Sequence, residues 1–184
     1  MRIAIVGGIG SGKSEVLKVA RDMGLACLSA DEINAELLKT PEYISEIAAV
    51  FPAAVNDGCI DRAALAKIVF SDDSARGKLN SIAHPRILAR IREDKSSPLI
   101  VEMPLLLECG AQDLFDEIVF VYTPMKLRLE RLEKRGLSRE NARLRIGAQV
   151  SEQELRAVAT RIVENDTSRR ALKKRVVALL RDIV

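Results

Sequence analysis

After Met1, the chain continues with Arg2-Ile3-Ala4-Ile5-Val6-Gly7-Gly8-Ile9-Gly10-Ser11-Gly12-Lys13-Ser14. The apolar, largely β-branched run up to Val6 predicts a strand, and apolar residues from Lys13 to Met23 recur at helical spacing. The glycine-rich part fits the pattern G-x-x-x-x-G-K-[ST], in which backbone N–H groups, a helix N-terminus and the lysine bind nucleotide phosphates. A strand, a loop and a helix in this order predict a phosphate-binding loop.

Each residue type in this loop suits the binding of ATP and Mg²⁺. Lys13 is expected to bridge the β- and γ-phosphates, and the Ser14 hydroxyl is expected to ligate Mg²⁺. The alternative is a glycine-rich turn with a solvated lysine. Converging N–H groups are expected from Gly10, Ser11, Gly12, Lys13, Ser14 and Glu15, within a nucleotide site that also includes Gly8 and Ile9.

Further short apolar runs alternate with helical patterns along the chain. We therefore predict an α/β protein with the P-loop NTPase three-layer fold and a five-stranded parallel sheet. Its core is expected to comprise residues 1–32, 97–124 and 159–184, with a helical substrate-binding insertion at 33–96 and a helical lid at 125–158. The predicted strands are Arg2–Val6, Ala26–Leu28, Leu99–Val101, Ile118–Tyr122 and Arg161–Val163.

Composition excludes several other classes of protein. The 29 basic and 26 acidic residues of the 184 are mixed along the chain, which argues against a nucleic-acid partner. Cys27, Cys59 and Cys109 are far apart and form no C-x-x-C motif, so neither disulfides nor a zinc site are expected. The N-terminal residues reach glycine too soon for a signal peptide, and no apolar run suits a membrane span. These features predict a cytoplasmic protein, taken as a monomer.

Two carboxylates are candidates for the chemistry. Glu102 ends an apolar run and is expected beside the phosphate loop, where it can hold Mg²⁺ through water, unless it only caps a neighbouring loop. Asp31 follows the second predicted strand, where it can accept the proton of an attacking hydroxyl. The alternative is that Ser29 and Glu32 form a capping box and Asp31 only favours the helix N-terminus.

With these residues placed, the chain resembles the dephospho-coenzyme A kinase family nearly end to end. Val6 to Ser14 differ from the family's T-G-G-I-G-S-G-K-S only at Val6, and Ser29-Ala30-Asp31 corresponds to its D-A-D. The remaining similar segments are Gly58 to Phe70, Leu79-Asn80, His84-Pro85-Arg86-Ile87, Met103 to Glu108, Arg145 to Gln149 and Ile162 to Asn165.

The resemblance implies an enzyme that uses ATP and Mg²⁺ to phosphorylate the ribose 3′-hydroxyl of 3′-dephospho-coenzyme A, with Asp31 as the base. It implies that Asn165 lies near the adenine and that the lid arginines Arg131, Arg135 and Arg145 close over ATP. The acceptor substrate is then expected to contact Asp31, Arg62, His84, Pro104 and Leu105.

Simpler interpretations of these residues stay open. Arg128, Arg131 and Arg135 share one side of a helix and could form a solvated face. His84 precedes Pro85 at an expected helix start, where histidine is commonly a cap or a packing group.

The chain also departs from the family pattern, because Ser29, Glu102 and Thr160 each replace an aspartate and Glu15 replaces a threonine. The alternatives to this function are another small-molecule or nucleotide kinase with the same loop, and an ATP-binding regulator that has lost catalysis.

Overall fold

The computed structural model describes residues 1–184, which divide into two compact units. The first comprises Met1–Ser29 and Lys95–Val184, and the second comprises Ala30–Asp94. The strands are β1 (Arg2–Val6), β2 (Ala26–Ser29), β3 (Val55–Asn56), β4 (Cys59–Ile60), β5 (Leu99–Glu102), β6 (Glu117–Tyr122) and β7 (Arg161–Glu164). Five of them form one parallel sheet in the order β2-β5-β1-β6-β7, so the predicted α/β fold with a five-stranded parallel sheet is confirmed.

Nine α-helices connect or follow the strands. They are α1 (Lys13–Asp22), α2 (Ala30–Leu37), α3 (Pro41–Val50), α4 (Arg62–Ser71), α5 (Asp73–Glu93), α6 (Met125–Glu133), α7 (Arg139–Gly147), α8 (Glu152–Val158) and α9 (Arg169–Ile183). Two short 3₁₀ helices occupy Pro52–Ala54 and Gln112–Leu114. None of these helices combines the length and the apolar character that crossing a membrane requires.

The core of the first unit lies between the sheet and two helices. Strand β1 is central and its residues Ile3 to Val6 are fully buried, as expected for a parallel sheet that is covered on both faces. Helices α1 and α9 pack on one face with their apolar sides, and each fully buried aliphatic side chain there contributes about 1.5–3 kcal/mol. This packing fixes the position of α1, and therefore of the loop that precedes it.

The order of the strands determines where a ligand can bind. From β1 the chain first moves to β2 on one side of the sheet, and later to β6 on the other side. Ligands of open α/β sheets bind at such a switch point, outside the carboxyl ends of the strands. The glycine-rich loop leaves β1 at this end.

The second unit contains α2 to α5 and a small antiparallel hairpin. The hairpin joins β3 to β4 through Asp57 and Gly58, whose φ angles are 48° and 72°. Positive φ at both central residues is what a two-residue type I′ turn needs, and Asp-Gly supplies it. The expectation of an almost wholly helical insertion missed this hairpin.

One local expectation about the second unit was wrong. His84 and Pro85 do not start a helix, because both lie inside the 21-residue helix α5. A proline inside a helix costs about 3 kcal/mol, since it removes one backbone hydrogen bond and crowds the preceding turn. Helix α5 continues past it and buries apolar residues on both sides of the proline, including Ala83, Ile87 and Ile91, whose packing offsets this cost.

Candidate phosphate-binding site

The loop between β1 and α1 is shaped by its glycines. Gly10 and Gly12 have φ angles of 80° and 97°, in the left-handed region that favours glycine. The N–H of Ser11 donates to the Gly8 carbonyl at 3.1 Å, and the N–H of Glu15 donates to the Gly12 carbonyl at 3.0 Å. Two N–H groups that were expected to face phosphates therefore close turns of the loop in this structure.

Lys13 is the first residue of α1 and is 8% exposed. Its Nζ donates to the carbonyl oxygens of Gly7, at 2.8 Å, and Gly8, at 3.4 Å. The ammonium group is thus folded back over the loop and held by two backbone acceptors, which a buried charge requires. It presents a cation at the start of a helix, where anions are already favoured.

Ser14 and Glu102 lie together, as the proposed Mg²⁺ ligands must. The Ser14 hydroxyl donates to Glu102 Oε1 at 3.2 Å, and Glu102 is only 7% exposed. Sheet register brings this about, because Glu102 ends β5 beside Ile5 of β1 and Ser29 of β2. No group of three or more His, Cys, Asp or Glu side chains could hold a metal. One hydroxyl and one carboxylate nevertheless suit Mg²⁺, which binds through few protein ligands, waters and substrate phosphates.

The Ser11 carbonyl is held by three side chains from distant parts of the chain. Thr123 Oγ1 donates to it at 2.9 Å, Asn165 Nδ2 at 2.7 Å and Arg131 Nη1 at 3.3 Å. A trans peptide points its C=O and the following N–H in opposite directions. Fixing the Ser11 carbonyl therefore aims the N–H of Gly12 away from these three side chains.

Arg131 also joins the loop to the connection that follows β7. Its Nη1 donates to the Gly10 carbonyl at 3.2 Å, and its Nη2 donates to Asn165 Oδ1 at 3.2 Å. Burial lowers the pKa of Arg131, and the nearby charges of Arg135 and Arg169 lower it further. Arginine stays charged at neutral pH despite such shifts, so these three residues place positive charge beside the loop.

Arg128 and Gln149 hold the backbone of the loop at Ile9. Arg128 Nε donates to the Ile9 carbonyl at 2.9 Å, while the N–H of Ile9 donates to Gln149 Oε1 at 2.7 Å. Burial lowers the pKa of Arg128, and the charge of Glu152 opposes that shift. The interpretation of the arginines as a solvated helix face is therefore wrong for Arg128 and Arg131.

Several of these residues cannot be identified as site residues from the sequence alone. Thr123 carried no signal beyond its place after a strand, and Arg169 carried none. Arg128 was recognised only as a member of the arginine-bearing helix. Gln149 lies in the Arg145 to Gln149 segment of the family resemblance, which assigns it no role.

The remaining predicted residues lie in various surroundings. Arg135 is exposed in the turn that follows α6, and Arg145 is exposed on α7. Pro104 is half-buried, and Leu105 is 38% exposed shortly after β5. In the second unit, Asp31 is exposed in the first turn of α2, Arg62 donates to the Ala35 carbonyl at 3.3 Å, and His84 is half-buried.

The departures from the family pattern fall at opposite ends of the sheet. Ser29 is buried at the carboxyl end of β2 beside Glu102, and so lies next to the phosphate loop. Thr160 precedes β7 at the amino end, where its hydroxyl donates to Glu117 and accepts from the N–H of Ile118 at 3.0 Å. Thr160 therefore links the start of β7 to the start of β6. This position, where the family has an aspartate, lies at the end of the sheet away from the phosphate loop.

Comparison with known proteins gives the same family as the motifs. The sequence model described as "Dephospho-CoA kinase" matches residues 1–171. The dephospho-CoA kinase of Deinococcus radiodurans is 36% identical over 99% of this chain and 92% of its own length. A crystal structure of a Thermus thermophilus protein is 34% identical with a TM-score of 0.84, covering 100% of this chain and 98% of that one. Dephospho-CoA kinase from Campylobacter jejuni is 29% identical with a TM-score of 0.72, covering 99% and 96%. The chain belongs to the dephospho-CoA kinase family.

Proposed function

We propose that this protein is a dephospho-CoA kinase that transfers the γ-phosphoryl group of ATP to the ribose 3′-hydroxyl of 3′-dephospho-coenzyme A, giving coenzyme A and ADP. Membership of the family over nearly the whole chain carries this proposal. The arrangement of Lys13, Ser14 and Glu102 around the loop supports it, because phosphoryl transfer depends on positioning and on neutralising phosphate charge.

In the proposed reaction, Asp31 accepts the proton of the 3′-hydroxyl as the oxygen forms a bond to the γ-phosphorus. The bond from that phosphorus to the oxygen bridging the β-phosphate breaks, and ADP leaves with the electron pair. Lys13 and the lid arginines Arg131, Arg135 and Arg145 bind and neutralise the phosphate oxygens.

The other binding residues complete the proposal. Ser14 and Glu102 would hold Mg²⁺, which supplies charge neutralisation at the phosphates when it is bound. Asn165 lies near the adenine, and Arg62, His84, Pro104 and Leu105 contact the acceptor. The exposed Leu105 offers an apolar surface for the uncharged part of that substrate. The protein acts in the cytoplasm as a monomer and has no nucleic-acid partner.

The test is ADP release by the purified protein with Mg-ATP and dephospho-coenzyme A. Parallel reactions contain nucleoside monophosphates or no acceptor, and mass spectrometry identifies the product. ADP release that needs dephospho-coenzyme A, with coenzyme A formed, supports the function. Turnover only with another acceptor identifies a different kinase of this fold, and ATP binding without any turnover identifies a regulator.

The role of Asp31 is tested with Asp31→Asn. This substitution should lower kcat by about 10²- to 10⁴-fold, the range for loss of a general base, while the Kd for ATP changes little. Glu32→Gln is the matched control, because it removes a neighbouring carboxylate from the same turn of α2. A near-normal kcat in Asp31→Asn would mean that Asp31 is not the base and only stabilises the N-terminus of α2 by its charge.

A further inference from the structure

Gly8 is a glycine that neither the loop motif nor the backbone requires. It occupies a variable position of G-x-x-x-x-G-K-[ST], between Gly7 and Ile9. Unlike Gly7, Gly10 and Gly12, it is not among the glycines with positive φ. A positive φ is therefore not the reason for a glycine at this position. Another cause must account for the missing side chain.

That cause is the guanidinium group of Arg128. A Cβ atom at Gly8 would lie 2.1 Å from Arg128 Nη2 and 2.6 Å from its Cζ. Real Cβ atoms do not approach heavy atoms so closely, so a side chain at position 8 must displace the guanidinium. Gly8 is buried, and the space beside it is the space that Arg128 fills.

Displacing the guanidinium would release the peptide that it holds. Arg128 Nε donates to the Ile9 carbonyl at 2.9 Å, and Arg128 Nη2 lies 3.5 Å from Gln149 Oε1. The same Gln149 oxygen accepts the N–H of Ile9. Because a trans peptide points its two polar groups in opposite directions, holding the Ile9 carbonyl on Arg128 aims the N–H of Gly10 away from the guanidinium.

We propose that Arg128 is a positioning residue of the phosphate loop, and that Gly8 lacks a side chain in order to admit it. The two residues act as one unit that sets the direction of the Gly10 N–H. Arg128 affects nucleotide binding through the loop rather than by touching the nucleotide. The inference rests on the proposed function only in that ATP is the ligand of the loop.

A double-mutant cycle tests this unit. Gly8→Ala, Arg128→Ala and the double variant are compared with wild type by calorimetric measurement of the Kd for ATP, and then by KM for ATP and kcat. Loss of a charge-assisted hydrogen bond predicts that each single variant binds ATP roughly 10- to 100-fold more weakly. In the double variant, the loss should equal that of Arg128→Ala alone, because no guanidinium remains for the added methyl group to displace.

Gly77→Ala is the matched control, since an added Cβ at Gly77 meets nothing within 4 Å and its φ is not positive. It should bind ATP like wild type. Arg128→Lys keeps one donor and should recover part of the affinity lost in Arg128→Ala. If Arg128→Ala does not unfold cooperatively, Arg128→Lys replaces it in the cycle, and Gly8→Ala should then cost less than it does in wild type.

Additive losses in the cycle, or normal ATP affinity in Gly8→Ala, would overturn the proposal. A fall in kcat with Kd and KM for ATP unchanged would also overturn it, because it would mean a loss of active protein rather than a displaced loop. The Kd for ATP measured by calorimetry tests the role of Gly8 and Arg128 without depending on the proposed kinase reaction. If the wild-type protein binds ATP but makes no coenzyme A, the proposed reaction is refuted. The double-mutant cycle can still be measured through the Kd for ATP.

Discussion

At the scale of single residues, Asn165 tests whether the phosphate loop is held in place before any nucleotide binds. Its amide donates to the Ser11 carbonyl at 2.7 Å and accepts from Arg131, and it is 6% exposed. Asn165→Ala leaves these buried groups with fewer partners, which should lower the free energy of unfolding of the ligand-free protein by about 1–3 kcal/mol. Urea denaturation without ATP measures this change.

The control for this prediction is Asn141→Ala, an asparagine that is exposed on α7. Surface substitutions of this kind change the free energy of unfolding by no more than about 0.5 kcal/mol. If Asn165→Ala weakened only ATP binding and left the ligand-free protein as stable as wild type, its hydrogen bond to Ser11 would not support the loop before the nucleotide binds.

Two of the three cysteines, Cys59 and Cys109, should differ in reactivity. Burial, with a smaller effect of the Glu108 charge, raises the pKa of Cys109 to about 11, whereas Cys59 is exposed in the hairpin. Because the thiolate is the reactive form, iodoacetamide at pH 8 should alkylate Cys59 well before Cys109. Peptide mass spectrometry over time gives the two rates. The difference should vanish in urea, and equal rates in the folded protein would contradict the burial of Cys109.

At the scale of elements, α8 is too short to be stable alone and depends on its ends and its packing. Ser151 Oγ accepts the Glu154 N–H at 3.2 Å, and the Glu154 carboxylate accepts the Ser151 N–H at 3.0 Å. The helix also packs through Arg156, whose guanidinium lies 4.6 Å from the centre of the Tyr122 ring in β6. Ser151→Ala should destabilise α8 by about 0.5–2 kcal/mol, the usual cost of a lost N-cap.

Hydrogen–deuterium exchange of the α8 amides measures this effect. Exchange should speed up by roughly 2- to 30-fold in Ser151→Ala, which is the same free energy expressed as a ratio. Ser151→Asn is the control, because asparagine caps a helix about as well as serine. Unchanged protection in Ser151→Ala would mean that the packing of Arg156 on Tyr122 alone holds the helix.

The elements that the sequence predicted best are those with strong local signals. The five strands of the sheet were placed within one residue at each end, because their apolar runs are bounded by glycine or by polar residues. The β3–β4 hairpin was missed because two-residue strands have no measurable periodicity. The start of α5 was misplaced because Pro85 is a strong local signal that tertiary packing overrides.

At the scale of the whole molecule, the loop motif and the family resemblance predicted a set of candidate phosphate-site residues, and they could not predict how the loop that carries them is held. Ser14 and Glu102 meet as expected, because strand order and register follow from the fold. The bond from Asn165 to Ser11 joins residues 154 positions apart, and that from Arg128 to Ile9 spans 119 positions. Such contacts depend on side-chain rotamers in the folded core, which no local pattern encodes.

The stability of the whole molecule should depend on pH through its one histidine. Burial lowers the pKa of His84 below its usual value of 6.5, and its Nε2 is buried without a hydrogen-bond partner. Below pH 6.5, His84 therefore binds a proton more readily in the unfolded chain than in the folded chain. Protonation then stabilises the unfolded state relative to the folded state. The contribution of His84 to the free energy of unfolding is fully present above pH 6.5 and is lost as the pH falls towards the lowered pKa.

His84→Gln removes this titration while keeping a polar side chain of similar reach. Urea denaturation of both proteins between pH 7.5 and pH 5 separates the histidine from the acidic residues, which titrate in both. The wild type should lose more stability than His84→Gln over this interval, so the difference between the two proteins should change with pH and level off above pH 7. Parallel curves would mean that the folded chain protonates His84 as readily as the unfolded chain does. In that case Nε2 would have access to water or to an acceptor, and burial would not set its charge.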